Sequence, residues 1–227
     1  MPLNYPGPFL RLTAIGTIFS VETFNWTLSL VPNFQGTVGA INLVPTAIAD
    51  AVEAFHRAVP GSPSANLQQL KMARIGTDGK YMDDAPAVHD YGAAGIPGQN
   101  FGTSRLPAQA AIAITLRSTA SRGLANSGRF YIPAMGAALE NVDGLMTQAN
   151  ALSIANSAAT MINAIDAAGE GQWVVGIASG GGVNSTAGAF RRVDTVEVGR
   201  VVDTIRSRRR NLPETYVATT QAVGATG

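Results

Sequence analysis

Two histidines, His56 and His89, are where acid–base chemistry near neutral pH would begin in this chain. His56 lies between Phe55 and Arg57, and His89 lies in Val88-His89-Asp90-Tyr91. Neither has a second His or a Glu three or four residues further on, as a helical metal site requires. His89 and Asp90 could be imagined as a catalytic pair, but adjacent residues do not face each other. Asp83-Asp84, with Asp78 and Asp90 nearby, could attract a hard cation. The stretch lacks the alternating acids and terminal Glu of a calcium loop, so it reads as a solvated acidic loop. Gly180–Gly182 follows a strand-like run, as phosphate-binding loops do, but no Lys-Ser or Lys-Thr follows and the GxGxxG spacing is missing. It reads as a mobile hairpin tip. No GxSxG nucleophile motif occurs, and the absence of cysteine excludes thiol chemistry, disulfides and Cys-ligated metals. The sequence therefore points to no catalytic, cofactor or metal residue, and a non-enzymatic protein is expected.

The remaining signal is charge. Seven basic residues fall in one stretch: Arg191, Arg192, Arg200, Arg206, Arg208, Arg209 and Arg210. Asp194, Glu197 and Asp203 interrupt them and leave the stretch at +4; the other nine basic and twelve acidic residues give −3. Charge placed this way acts on a partner. Read as a helix, Arg200–Asn211 puts Val201, Val202, Ile205 and Leu212 on one face and Arg200, Asp203, Arg206 and Arg210 outward, with Pro213 as its stop. Asp203 and Arg206 could pair at i, i+3. Arg208 falls near the apolar face, where a lone charge is costly. Three readings stay open: a solvated helix end, a subunit contact, and a nucleic-acid contact. The last is disfavoured by the lack of aromatics between the arginines and by the low overall charge. The assembly-contact candidates are Arg200, Asp203, Arg206, Arg208, Arg209 and Arg210.

The elements that must carry these residues read as strands and helices in pairs. Phe9–Phe19 and Thr23–Val31 predict a hairpin, with Phe24, Trp26, Leu28 and Leu30 alternating against Asn25, Thr27 and Ser29. Ile48, Val52 and Phe55 predict a helix over about 45–59, opened by Pro45 and closed by Pro60-Gly61. Leu67–Ile75 resembles a strand, and Gly76–Gly79 a turn. Asp83–Pro107 reads as a long irregular stretch, a contact loop rather than a linker. Ala108–Ser118 and Gly128–Pro133 are strand-like. Asp143 reads as an N-cap for a helix over about 143–166, with Leu145, Ala149, Leu152, Met161, Ile162 and Ile165 at helical spacing. Trp173–Ala178 reads as a buried strand, Gly180–Gly188 as a flexible loop, and Thr195–Val198 as the last strand. The expected fold is α+β: a mainly antiparallel sheet or sandwich, two principal helices and a short basic C-terminal helix.

At 227 residues the chain fits a single domain, expected here with an extended N-terminus and a flexible C-terminal tail. Charged residues make up 14%, well under the usual quarter, and Ala, Gly, Thr, Ser and Asn fill the deficit. A weakly charged exterior favours association. MPLNYPGPFLRL has neither a basic n-region nor an apolar h-region, so no signal peptide is expected, and no apolar run approaches a membrane span.

Five stretches in order, PGPFLRLTAIGTI with the Trp26 strand, LPAQAAIAITLRS, SGRFYIP, a long helix, and VEVGRVVDTIRSRRRNLPE, resemble small structural proteins of tailed-bacteriophage virions over roughly residues 6 to 216. The resemblance implies a non-enzymatic virion component, assembled in the host cytoplasm in many copies on the capsid, at the head–tail connector or in the tail. Its partners would be copies of itself and other virion proteins. The alternative is a capsid subunit of a small virus that contacts nucleic acid through Arg191–Arg210.

Overall fold

The computed structural model describes residues 9–18, 22–32, 45–59, 65–76, 80–97, 111–119, 125–133, 148–168, 173–178, 190–193, 195–201 and 219–222. Among the described residues, eleven strands and two helices follow in the order β1 (Phe9–Ile18), β2 (Glu22–Pro32), α1 (Thr46–Ala58), β3 (Ala65–Ile75), β4 (Ala87–Asp90), β5 (Ile96–Pro97), β6 (Ala111–Thr119), β7 (Ala125–Pro133), α2 (Gln148–Ala168), β8 (Trp173–Ala178), β9 (Phe190–Arg192), β10 (Thr195–Val201) and β11 (Thr219–Ala222). Every described strand pair is antiparallel. A seven-stranded sheet runs β4-β3-β1-β2-β8-β9, with β5 also on β3, and a four-stranded sheet runs β11-β10-β6-β7. The expected α+β class holds.

Period-two burial builds the large sheet. Trp26, Leu28 and Leu30 are buried, while Asn25 and Thr27 are exposed. Their partners on β1 are Ala14, Leu12 and Leu10, so the small Ala14 stands opposite the indole. On β3 the inward residues are Leu67, Leu70 and Met72, a spacing that breaks simple alternation. A bulge explains it: Ile15 pairs with Gln69 but Gly16 pairs with Leu67, which leaves Gln68 as the extra residue. The chains approach closely there. A Cβ at position 16 would overlap the Asn66 carbonyl oxygen and the Phe24 ring, so only glycine fits.

In the small sheet, register puts Ile114 between Phe130 and Val198, and Leu116 opposite Val196, all buried on one face. That face joins the large sheet and both helices in a single core. The junction is aromatic. Trp26 of β2 stacks on Phe130 of β7 at 5.0 Å between ring centres, and Phe55 of α1 meets both edge-on at 6.1 and 6.3 Å. On the opposite face of the large sheet, Phe9, Ile75 and Val174 form a second, small cluster.

Helix α1 buries Ile48, Val52 and Phe55, and its Glu53 and Arg57 pair at 2.9 Å on the exposed side. Helix α2 packs against α1, β8, β10 and β11. Its buried stripe is Ala151, Ile154, Ala155, Ala158, Ile162 and Ile165, and these alanines let the backbone come close. Ala149 and Leu152, expected on that face, are exposed because they fall outside this i, i+3, i+4, i+7 series. Asp143 and Leu145 lie outside the described residues. Asp166, on the buried side of α2, accepts the Val175 N–H at 2.7 Å and so ties the helix to β8.

Three expectations about connections are corrected. The stretch from Asp83 is not an irregular loop up to residue 97: β4 and β5 both pair with β3, because the chain runs back along that strand in short segments. Residues 98–107 lie outside the description. Thr195–Val198 is not the last strand, since β11 pairs with β10. The strand β9 was not anticipated either.

Candidate assembly interface

The arginine segment is divided between the two sheets. Arg191 and Arg192 lie in β9, the outermost strand of the large sheet. Val193 is buried, and the chain then enters β10 of the small sheet. Arg200 stands opposite Ile112 of β6, and Val201 opposite Ala111. The helix expected from Arg200 therefore does not begin there; the β-branched run Thr195–Val201 continues as strand to its end, where the ladder to β6 holds it. Asp203, Arg206, Arg208, Arg209 and Arg210 lie outside the described residues. Glu197 is already engaged: Arg117 of β6 donates to its carboxylate at 2.7 Å, with the Glu197 side chain 16% exposed. An acid counted against the arginines in sequence is thus held by an arginine eighty residues away.

The opposite edge of the large sheet carries the acidic stretch. Asp83 is not solvated. Its carboxylate accepts the Arg74 backbone N–H at 3.2 Å and is gripped by both arms of the Arg74 guanidinium, including a short Nη2–Oδ1 contact. Hydrogen bonding from Arg74 holds the Asp83 carboxyl below its ordinary range, and the same bond raises Arg74. Asp84 is exposed, as the solvated reading expects. Asp90 is exposed and accepts the Gly92 N–H at 2.8 Å, a small turn that Gly92 closes with φ of 89°.

His89 and Asp90 occupy opposite faces of β4. His89 meets Tyr91 edge-on at 4.7 Å, on the side facing α1, where the Tyr91 hydroxyl donates to the Ala49 carbonyl at 2.9 Å. Burial, with Glu53 and Asp50 nearby, drives the Tyr91 phenol well above its ordinary value. His56 is buried in α1, with its ring stacked on Phe24 at 6.2 Å. No acid–base pair of His89 with Asp90 forms, and among the described residues no group of three or more His, Cys, Asp or Glu could hold a metal ion. The Gly180–Gly188 stretch lies outside them. No helix among the described residues is long and apolar enough to cross a membrane.

Large exposed apolar side chains gather at this same edge. Tyr81 is 63% exposed, Met82 51% and Val88 42%, with Leu152 of α2 the remaining case among the described residues. Tyr81 bridges to Ile75 and Val88 pairs with Lys71, so both flank β3 on its open side. Sequence reasoning missed this patch because Tyr81, Met82 and Val88 show no periodicity; only their pairing with β3 fixes them at a sheet edge. In comparison with known proteins, no family model, no curated protein and no solved structure matches the chain.

Proposed function

We propose that this protein is a non-enzymatic structural component of a tailed-bacteriophage virion that assembles in multiple copies. The observation that carries the reading is the pair of sheet edges without a partner strand among the described residues: exposed Tyr81, Met82 and Val88 with Asp84 and Asp90 at one, and Arg191-Arg192 at the other. Clustered exposed apolar side chains mark contact surfaces. A 14% charge content fits a surface that neighbours cover. The ordered resemblance from PGPFLRLTAIGTI to VEVGRVVDTIRSRRRNLPE supports the virion setting. In this reading Arg206, Arg208, Arg209 and Arg210, on a short amphipathic helix, bridge to acidic residues of a neighbouring copy. Such pairs set register and partner choice more than affinity.

Light scattering on the size-exclusion eluate tests the reading. Multi-copy assembly requires a mass above one chain that rises with concentration; a strict monomer at high concentration refutes it. Binding to DNA or RNA that weakens steeply with salt would instead favour the genome as the target of the arginines.

A further inference from the structure

We infer that copies of this chain join head to tail by continuing the large sheet, with β4 of one copy pairing antiparallel to β9 of the next. The inference rests on the multi-copy reading above and specifies its interface.

Strand direction is the first support. All neighbours along β4-β3-β1-β2-β8-β9 are antiparallel, and the path has six strands, so β4 and β9 run in opposite directions. A second copy placed beside the first without being turned over therefore meets it as an antiparallel pair, and the sheet's alternation continues across the junction.

The free hydrogen-bonding groups are the second. Tyr91 N–H donates to Gln68 O at 2.9 Å. By the alternation of antiparallel ladders, residues 91, 89 and 87 make the bonds to β3, and the N–H and C=O of Val88 and Asp90 point to the open edge. Val193 N–H donates to Val175 O at 3.0 Å, so Phe190 and Arg192 likewise present their backbone groups away from β8. Among the described residues no strand pairs with either edge. Each edge thus offers donors and acceptors at i and i+2.

Face and charge are the third. Val88 and Asp90 stand in register with Lys71 and Gln69, on the sheet face turned away from α1, and Arg192 stands in register with Gly176, which pairs with Ser29. Pairing through these groups sets Val88 and Asp90 in register with Phe190 and Arg192. Two arginines disfavour β9 against another β9, while Asp90 of β4 offers them an acid, so charge favours the unlike edges. A contact between unlike edges is heterologous, and it closes into a ring or extends as a helix.

The test is sedimentation velocity on the full chain over a concentration series. Val88→Pro removes an outward N–H and leaves the β3–β4 ladder intact, since residue 88 makes none of its bonds. It should shift the protein to monomer with an unchanged far-UV circular dichroism spectrum. Asp90→Arg and Arg192→Asp should each weaken association by about tenfold or more, and the two together should restore it, which keeps the test valid if Val88→Pro does not fold. An assembling wild type whose assembly is unaffected by the single charge reversals and by a folded Val88→Pro overturns the edge pairing alone. A monomeric wild type overturns the multi-copy reading and the edge pairing with it.

Discussion

Phe130→Ala probes whether the two sheets share one core. Phe130 is 4% exposed in β7 of the small sheet and packs against Trp26 and Phe55, which belong to the large sheet and to α1. Removing a buried phenylalanine from a packed junction costs roughly 3–5 kcal/mol through lost transfer energy and the cavity left behind. At about 2–4 °C per kcal/mol for a chain of this length, a loss near 4 kcal/mol lowers the melting temperature by roughly 8–16 °C. The chain's two tryptophans, Trp26 and Trp173, lie in β2 and β8, so tryptophan fluorescence reports the large sheet and, through Trp26, its junction with Phe130. A substitution in the small sheet should therefore shift the urea midpoint read by fluorescence as much as the midpoint read by far-UV circular dichroism. The Trp26–Phe130 stack adds a coupling of about 0.5–1.5 kcal/mol, measurable with Trp26→Leu in a double-mutant cycle. An unmoved fluorescence midpoint, with a second transition appearing by circular dichroism, would refute the shared core.

Gly16→Ala should destabilise by about 1–3 kcal/mol or more by chemical denaturation, because the new methyl meets the Asn66 backbone oxygen, which cannot swing aside; a neutral result would mean the bulge relaxes. Asp166→Ala should cost about 1–3 kcal/mol, since it strips the Val175 N–H of its acceptor in the core, while an unchanged midpoint would remove that bond from the stabilising set. Asp83 has a folded value below its unfolded one, so its contribution is present above about pH 4 and is lost as pH falls through the folded value; Asp83→Asn should flatten acid unfolding in that window. Tyr91 is shifted the other way, so its contribution is full below about pH 10 and is lost as pH rises further; Tyr91→Phe should remove this alkaline limb, and at neutral pH it should cost about 0.5–1.5 kcal/mol for the Ala49 hydrogen bond.

Local patterns announced the elements whose burial is one-sided. Trp26, Leu28 and Leu30 alternate because β2 has one covered face, and Ile48, Val52 and Phe55 recur because α1 has one buried stripe. Trp173–Ala178 is bounded as expected for a different reason, a short apolar run buried on both faces between glycines. The pattern failed where pairing decides. Strands β4, β5, β9 and β11 are two to four residues long, too short for any period, and exist because a longer neighbour offers free backbone groups. The bulge at Gln68 disguised β3, spacing its inward residues by three. The polar contacts Arg74–Asp83, Arg117–Glu197 and Asp166–Val175 join residues nine to eighty positions apart, and nothing in their own neighbourhoods marks them.

The division of the arginines bears on what they can recognise. A contiguous basic track follows a polyanion by placing cations along one groove. Here Arg191 and Arg192 stand on the last strand of one sheet, and eight residues later Arg200 stands on an inner strand of the other, between β6 and the line of β11. Buried Val193 anchors the crossing between them, so the two positions cannot slide into one groove without disturbing the core. Glu197, midway along, is paired with Arg117 of β6. What the sequence presents as one +4 block is, in the fold, at least two separate basic positions with different neighbours. Separate positions suit pairing with single acids, as the proposed edge contact requires, better than a phosphate backbone with its uniform charge spacing. The same division limits the effect of any one substitution. Reversing Arg192 should alter the edge of the large sheet and leave Arg200 on β10 in place, so the two positions are separable by mutation.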